Sequence, residues 1–224
     1  MKQILSSFND RLIPFMHDPK RLHAFLTETY NVGGALSILA LESLFTLISK
    51  FNLDYPEFYQ KLYVLFDRNV LHLKQCPRFL KLANLFLTSS HLPSYLVAAF
   101  VKKMARLALF APPAATLAVL PIMHNLMQRH SSCLPLLHRG LDQVKNAETI
   151  EAKEAVDPFL FDEENPLNSR AQESSLWEME ALKDHYYSAV AVFVRDFQKP
   201  ITEKKMPYKL DDFLGATSLT VSEF

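Results

Sequence analysis

The sequence predicts an all-α protein of stacked antiparallel helix pairs, in the manner of a HEAT-like α-solenoid. Apolar residues recur at i, i+3 and i+4 in several segments, which is the period of a helix with one buried face. Only four of the 224 residues are glycine, whereas the tight turns of sheet proteins need residues with positive φ. Short connections between the segments favour antiparallel neighbours. No fixed-period repeat is visible, so the solenoid prediction depends on helix pairing alone.

The first part of the chain is predicted to contain three helices before residue 52. Two amphipathic helices lie between residues 3 and 30 and are parted near Asp18 and Pro19. The second of them is expected to direct three apolar residues inward: Leu22, Phe25 and Leu26. A break over residues 31–34 precedes a helix over 35–51 that is apolar almost all round. Such a composition is typical of a central helix packed on several sides.

Four further helices are predicted between residues 54 and 130. Asp54 and Pro56 signal the start of the first of them, and residues 78–88 form the second. The inward residues of the first are Phe58, Leu62 and Leu65. The last two form an apolar hairpin that turns at Pro112 and Pro113, because proline restricts the residue before it and favours the first position of a helix.

The composition changes after residue 140. Residues 141–170 are acidic and polar and are predicted to be extended. Ser175 and Glu178 match a capping box that would open a helix to about Tyr186, and a further helix carries Val190, Phe193, Val194 and Phe197. From Pro200 a loosely held tail is expected, in which Leu210, Phe213 and Leu214 dock a short turn. The predicted organisation is a helical-repeat domain (1–140), an acidic extended segment (141–170), a C-terminal helical pair packing on the repeat (171–200) and a tail (201–224).

Charge is distributed unevenly along this formally neutral chain. Residues 1–140 carry 15 Lys and Arg against 7 Asp and Glu, whereas residues 141–224 carry 9 against 17. No carboxylate interrupts the stretch from Arg68 to Arg139. Within it, Lys102, Lys103 and Arg106 are predicted to form a basic face that contacts a partner protein or ribosomal RNA. The alternative is a solvated face balanced by the chain's own acidic segment. Without interleaved aromatic residues, reading of single-stranded bases is not expected.

A second candidate contact is the acidic segment with the helix that follows it. Asp162, Glu163, Glu164 and Trp177 are predicted to dock on a partner or on the basic helices, the alternative being a solvated linker. Trp177 is the only tryptophan, and its indole N–H requires a hydrogen-bond partner wherever the ring is buried. Both the core and an interface remain open for it.

Other kinds of site are not expected. His124, His130, Cys133 and His138 match no zinc-ligand spacing, and the sequence predicts neither a metal nor a cofactor. Phosphate-loop, nucleophile-elbow and His-Glu-x-x-His motifs are absent, so no enzyme and no small-molecule substrate are predicted. Two cysteines make no disulfide framework and suit a reducing compartment.

Three segments resemble the CCAAT-binding-factor family of nucleolar proteins: YNVGGALSILALESLFTLISKFNLDYPEFYQKLY, HLPSYLVAAFVKKMARLALFAPP and DPFLFDEENPLNSRAQESSLWEMEALKDHYYSAV. The resemblance implies a helical-repeat scaffold in the nucleus and nucleolus that acts in small-subunit assembly and rRNA processing. It also implies a stable complex with nucleolar protein 14 and contact with the pre-ribosomal particle or its pre-rRNA. Because family members are much longer, we expect the chain to correspond to a C-terminal half.

A membrane function is the alternative hypothesis. The charge-free stretch 107–123 and the apolar stretch 32–49 approach the length of a spanning helix, and the hairpin would then anchor the chain at the nuclear membrane. Three prolines interrupt the first stretch and Glu42 lies in the second. Buried solenoid helices therefore explain both stretches better, since free backbone groups and charges are costly in lipid.

Overall fold

The computed structural model of the protein describes residues 11–32, 34–51, 57–88, 92–137, 157–201 and 206–214. Helices, turns and irregular stretches make up these ranges, and no strand occurs within them. The α-helices are α1 (His23–Asn31), α2 (Gly34–Phe51), α3 (Phe58–Leu65), α4 (Cys76–Leu87), α5 (Ser94–Ala108), α6 (Pro113–Arg129), α7 (Trp177–Ala181), α8 (Ser188–Val194) and α9 (Asp211–Leu214). The predicted all-α fold of paired helices is confirmed.

The helices pack as neighbouring pairs around one apolar core. α1 packs on α2, and α6 contacts α4, α5, α8 and α9. The most enclosed helices are α5 and α6, whereas Leu36, Phe45 and Ile48 of α2 remain partly exposed. The predicted central position therefore belongs to the hairpin more than to α2.

The predicted corner at the two prolines is confirmed. α5 ends at Ala108, Pro112 is extended (φ −57°, ψ 146°) and Pro113 opens α6. The Thr116 hydroxyl lies 3.2 Å from the Ala108 carbonyl oxygen and 3.2 Å from that of Pro112, so it ties the end of one helix to the start of the next. This connection fixes the direction in which α5 presents its side chains.

The N-terminal prediction is only partly right. Residues 11 and 12 are helical, two short 3₁₀ helices follow (Ile13–Phe15 and Pro19–Leu22), and the first ten residues of the predicted helical region lie outside the described residues. Leu26 is buried as predicted, but Phe25 is 40% exposed. Asp54 and Pro56 are also outside the described residues, although α3 follows with Phe58 and Leu62 buried.

Two C-terminal predictions are wrong in detail. α7 is a helix of five residues with Leu176 at its N-cap and no side-chain cap, so Ser175 and Glu178 form no capping box. A 3₁₀ turn (Leu182–Asp184) follows, and the helix does not reach Tyr186. Residues 206–214 are held against the body, with Leu210 and Leu214 buried and α9 forming the expected turn. A loosely held tail is therefore not found over these nine residues.

Candidate functional site

Lys102 lies fully buried in the middle of α5, with 0% of its side chain exposed. Its ammonium Nζ lies 2.7 and 2.9 Å from the two carboxylate oxygens of Glu178 and 2.8 Å from Oδ2 of Asp157. It also donates to the Ser175 carbonyl oxygen at 2.6 Å. A buried charge without such partners would be very costly, so these groups account for a lysine at this depth.

Arg106 follows one helical turn later and contacts the same two carboxylates. Its Nε donates to Glu178 Oε1 at 2.9 Å and its NH2 to Asp157 Oδ2 at 2.6 Å. Lys102, Arg106, Asp157 and Glu178 thus form a closed ring of two cations and two anions, named here the charge cluster. The cluster fastens the stretch from residue 157 to α7 onto the hairpin.

Asp157 is the most heavily hydrogen-bonded member of the charge cluster. Burial alone would raise the pKa of this carboxyl, but hydrogen bonds from Lys102, the Ser174 hydroxyl, the Trp177 indole and the Phe159 amide hold it well below its usual range. The indole Nε1 lies 2.7 Å from Oδ2 and the Phe159 nitrogen 3.1 Å from Oδ1. Asp157 is therefore ionised throughout the physiological range.

Trp177 lies at the surface beside the charge cluster. The Arg106 guanidinium is 4.9 Å and the Lys102 ammonium 5.5 Å from the indole, which is held by cation–π contacts as well as by its N–H. The side chain is still 42% exposed. The Trp177 ring therefore does not belong to the core. It is part of the surface and is held in place by these contacts.

A groove of about 370 Å³ opens next to Trp177. The Leu176 amide donates to the Leu136 carbonyl at 2.8 Å, which joins two of its lining residues. The apolar part of its lining is formed by Leu136, Leu176, Met179, Val194 and Phe197, and the polar part by Ser175, Glu180, Lys183 and Gln198. We call this concavity and the exposed indole the Trp177 groove.

Lys103 faces a different part of the C-terminal segment. Its ammonium lies 3.9 Å from the centre of the Tyr63 ring and 5.8 Å from that of Phe161. Burial lowers the pKa of Lys103 to about 8, although Asp162, Asp67 and Glu164 act in the opposite direction. The same burial raises the pKa of Tyr63 above its ordinary value.

The predicted basic face is therefore wrong as a solvent-exposed surface. Lys102 and Lys103 are buried and Arg106 is half-buried, because residues 157–178 cover α5. The role of the three cations in contacting a partner or RNA stays a prediction, and the structure gives them partners within the chain. Of the predicted acidic contacts, Asp162 and Glu164 are exposed and Glu163 is half-buried.

Several other cations of the carboxylate-free stretch also have neighbours in the fold. Arg78 pairs with Glu42, and Lys81 pairs with Asp211 of α9. Arg68 lies 5.5 Å from the Phe110 ring and 5.7 Å from the Phe161 ring. Lys81, Lys102 and Arg106 thus pair with carboxylates of the C-terminal part, whereas Arg78 pairs within the helical body.

The residues considered as metal ligands do not converge within the described chain. His124 packs edge-on against Phe197 and Tyr208, and the Cys133 thiol lies 3.6 Å from the Ser94 carbonyl oxygen. His138 lies outside the described residues. Over 11–137 and 157–214, as far as they are described, no group of three His, Cys, Asp or Glu side chains could hold a metal ion. The absence of a metal stays a prediction.

The charge cluster contains two residues that sequence reasoning missed. The sequence pattern places Asp157 in an extended acidic segment and Glu178 in a helix cap, and indicates no contact with α5 for either. Two features of the sequence could have indicated the cluster. Lys102 and Arg106 are cations one helical turn apart, and the carboxylate of Glu178 directly follows the sole tryptophan. Neither position identifies its partner, since the pairs are separated by 51 to 76 residues.

Comparison with known proteins gives one consistent result. Residues 37–194 match the model of the CBF/Mak21 family. The chain is 50% identical over 190 residues to a human protein named nucleolar complex protein 4 homolog, which covers 85% of this chain and 35% of the human one. It is 41% identical over 228 residues to nucleolar complex protein 4 of Saccharomyces cerevisiae, covering 95% of this chain and 41% of the yeast protein. The Gallus gallus homolog is 45% identical, with 99% and 41% covered. The chain thus spans about two fifths of the length of these relatives.

Proposed function

The chain belongs to the CBF/Mak21 family, and we propose that it is a non-enzymatic scaffold in ribosome biogenesis that acts in the nucleolus on the small ribosomal subunit. In this proposal it works through a complex with nucleolar protein 14 that joins the pre-ribosomal particle. The names of the relatives support a nucleolar complex, and the family match covers most of the described helices. The helical body fits a binding role, because the charge cluster holds the fold together and is not arranged as a catalytic site.

The observation that carries the proposal is the fixed, exposed indole of Trp177. Binding hot spots are enriched in tryptophan and lie in pockets that become well packed in the complex. Here the ring is already immobilised by Arg106 and Asp157, so a partner would lose little conformational entropy on contacting it. We therefore assign the partner interface to the Trp177 groove, with the charge cluster as its support.

The predicted acidic residues have a second role in this proposal. Asp162 and Glu164 are exposed on the segment that covers Lys103. Exposed carboxylates at an interface rim guide the approach of a basic partner and affect the association rate more than the final affinity. Lys102 and Arg106 then contribute by positioning Trp177.

The membrane hypothesis gains no support from the helices. Along the parts of the chain that the structure describes, no helix combines the length and apolarity needed to cross a bilayer. The hairpin proposed as an anchor forms the most enclosed part of the core.

The decisive experiment is co-purification of the 224-residue chain with nucleolar protein 14, followed by affinity measurement of the wild type and two variants. Trp177→Ala is expected to weaken binding at least about tenfold, the effect of losing a hot-spot residue. Tyr186→Ala is the matched control, since Tyr186 is an exposed aromatic residue, 82% accessible, that does not line the groove. It should bind as the wild type does.

Two results would contradict the proposal in different ways. Equal binding by folded Trp177→Ala and by the wild type would exclude the Trp177 groove as the interface. Absence of any complex with the wild-type chain would contradict the proposed partnership itself.

A further inference from the structure

The stretch 206–214 lies as a strap across α6 and α8. Residues 206–209 are irregular, and α9 completes the stretch. Leu210 and Leu214 are buried against the body, whereas Met206 and Lys209 are exposed. One side of the stretch is thus bound and the other faces solvent. We name residues 206–214 the C-terminal strap.

Asn125 of α6 holds the backbone of the strap. Its side chain is buried, its Nδ2 donates to the Tyr208 carbonyl at 2.7 Å, and its Oδ1 accepts from the Tyr208 amide at 2.9 Å. One side-chain amide therefore satisfies both polar backbone groups of one residue, as a neighbouring β-strand would. Backbone hydrogen bonds between residues 209 and 214 are local to the strap.

Side chains of the strap enter a specific aromatic site. The Tyr208 ring lies 5.0 Å from that of His124 and 4.9 Å from that of Phe193, and its hydroxyl donates to Asp196. The Phe213 ring meets Phe193 edge-on at 5.4 Å. Capture of the peptide backbone combined with pockets for side chains is one arrangement by which proteins bind peptides.

We propose that the surface of α6 and α8 around Asn125 is a peptide-binding cleft in which the C-terminal strap is an exchangeable ligand. The competing ligand is a segment of a partner protein with the residue spacing of the strap, Tyr-x-Leu-x-x-Phe-Leu, that is extended at the tyrosine and helical at the Phe-Leu end. Exchange requires only that the Asn125 clamp and the side-chain contacts release, since the strap shares no helix with the body. Such a segment opens at lower free energy than the core does. This cleft is separate from the proposed partner interface at Trp177.

The test uses a fluorescein-labelled peptide of residues 206–214 and the full chain. In the wild type, the tethered strap competes at an effective concentration on the order of millimolar. The double variant Tyr208→Ala/Phe213→Ala weakens the strap and should bind the peptide at least tenfold more tightly than the wild type does. The triple variant, which adds Asn125→Ala to the double variant, should bind the peptide at least tenfold more weakly than the double variant does. A peptide carrying the same two alanines is the control and should not bind.

Three outcomes would overturn the proposal. The folded double variant could fail to bind the peptide. It could lose its helical circular dichroism, which would make the strap part of the core. Wild-type dimers that disappear in the double variant would instead assign the cleft to the strap of a second copy.

Hydrogen exchange of the wild type provides a measurement that needs no variant. The Tyr208 amide should exchange at least tenfold faster than the central amides of α6, because the strap opens locally. Equal exchange rates would show that the strap opens only with global unfolding, and would overturn the proposal.

Discussion

Substituting Glu178 with glutamine should destabilise the protein strongly, although the side chain keeps its shape. The carboxylate of Glu178 is fully buried and contacts both Lys102 and Arg106. After the change, two cations share one carboxylate, Asp157. Removing one partner of a buried ion pair costs about 3–5 kcal/mol. We expect about 3 kcal/mol, the lower end of that range, because Asp157 and the Ser175 carbonyl still contact the ammonium.

The decisive comparison is with the double variant Lys102→Met/Glu178→Gln. It removes one charge of each sign and leaves Arg106 paired with Asp157. Replacing a buried pair by uncharged groups of similar size is often close to neutral, so we expect stability within about 1 kcal/mol of the wild type. The double variant should therefore be more stable than the single one.

Urea unfolding at pH 7 measures both effects. Circular dichroism follows the helices, and the fluorescence of the sole tryptophan, Trp177, follows the charge cluster itself. For a chain of this size, 3 kcal/mol corresponds to a shift of about 6–12 °C in the melting temperature. Glu173→Gln is the control, because it breaks an exposed pair with Arg170 and should have no measurable effect.

Two results would refute the reasoning about the charge cluster. A loss below about 1 kcal/mol for Glu178→Gln would mean that water reaches the cluster, since that is the range of exposed pairs. A double variant as unstable as the single one would assign the loss to packing instead of to an unpaired charge.

Two further predictions follow from the shifted pKa values of Asp157 and Lys103. The pKa of Asp157 is held below its unfolded value of about 3.9, so its contribution is complete above that pH and is lost as the pH falls towards the folded value. Urea midpoints measured between about pH 5 and pH 2 should therefore fall less steeply in Asp157→Asn than in the wild type, and parallel curves would contradict this. Burial lowers the pKa of Lys103 to about 8, whereas an unfolded lysine has a pKa of about 10.4. Between these two pH values the unfolded chain therefore binds more protons than the folded one. The difference in unfolding free energy, wild type minus Lys103→Met, should rise across that window, and a constant difference would mean that the ammonium is solvated.

The sequence predicted those parts of the fold that depend on neighbours along the chain. The corner at Pro112 and Pro113 follows from the geometry of proline itself, and the apolar spacing in α4, α5 and α6 identifies helices with a buried side. Helix ends near acidic residues were less predictable. Glu178 fits a local capping pattern, but its carboxylate gains more from two buried cations than from one backbone amide.

The charge cluster could not be predicted in the same way. Helical periodicity assigns Lys102 to the solvent-facing side of α5. The residue type agrees with this, because a lysine is rarely buried unless it is paired. Whether it is paired depends on Asp157 and Glu178, which the chain brings to α5 only after a long excursion. The composition did show an excess of cations before residue 140 and of carboxylates after it. It could not show that the two halves neutralise each other inside the molecule.

This internal neutralisation bears on how a partner would bind. Lys102 and Arg106 are engaged with carboxylates of the same chain, so little of the basic excess remains on the covered side of α5. An interface built on exposed cations would weaken steeply with added salt, because screening acts on exposed charges. The Trp177 groove combines the exposed indole and apolar side chains with Ser175, Glu180, Lys183 and Gln198, and burial of its apolar part is not screened by salt. A complex formed there should therefore keep its affinity between 50 and 200 mM salt, roughly the interval over which phosphate-contacting proteins lose several orders of magnitude. A steep loss of affinity over that interval would indicate an interface at exposed cations and would exclude the Trp177 groove as the main contact.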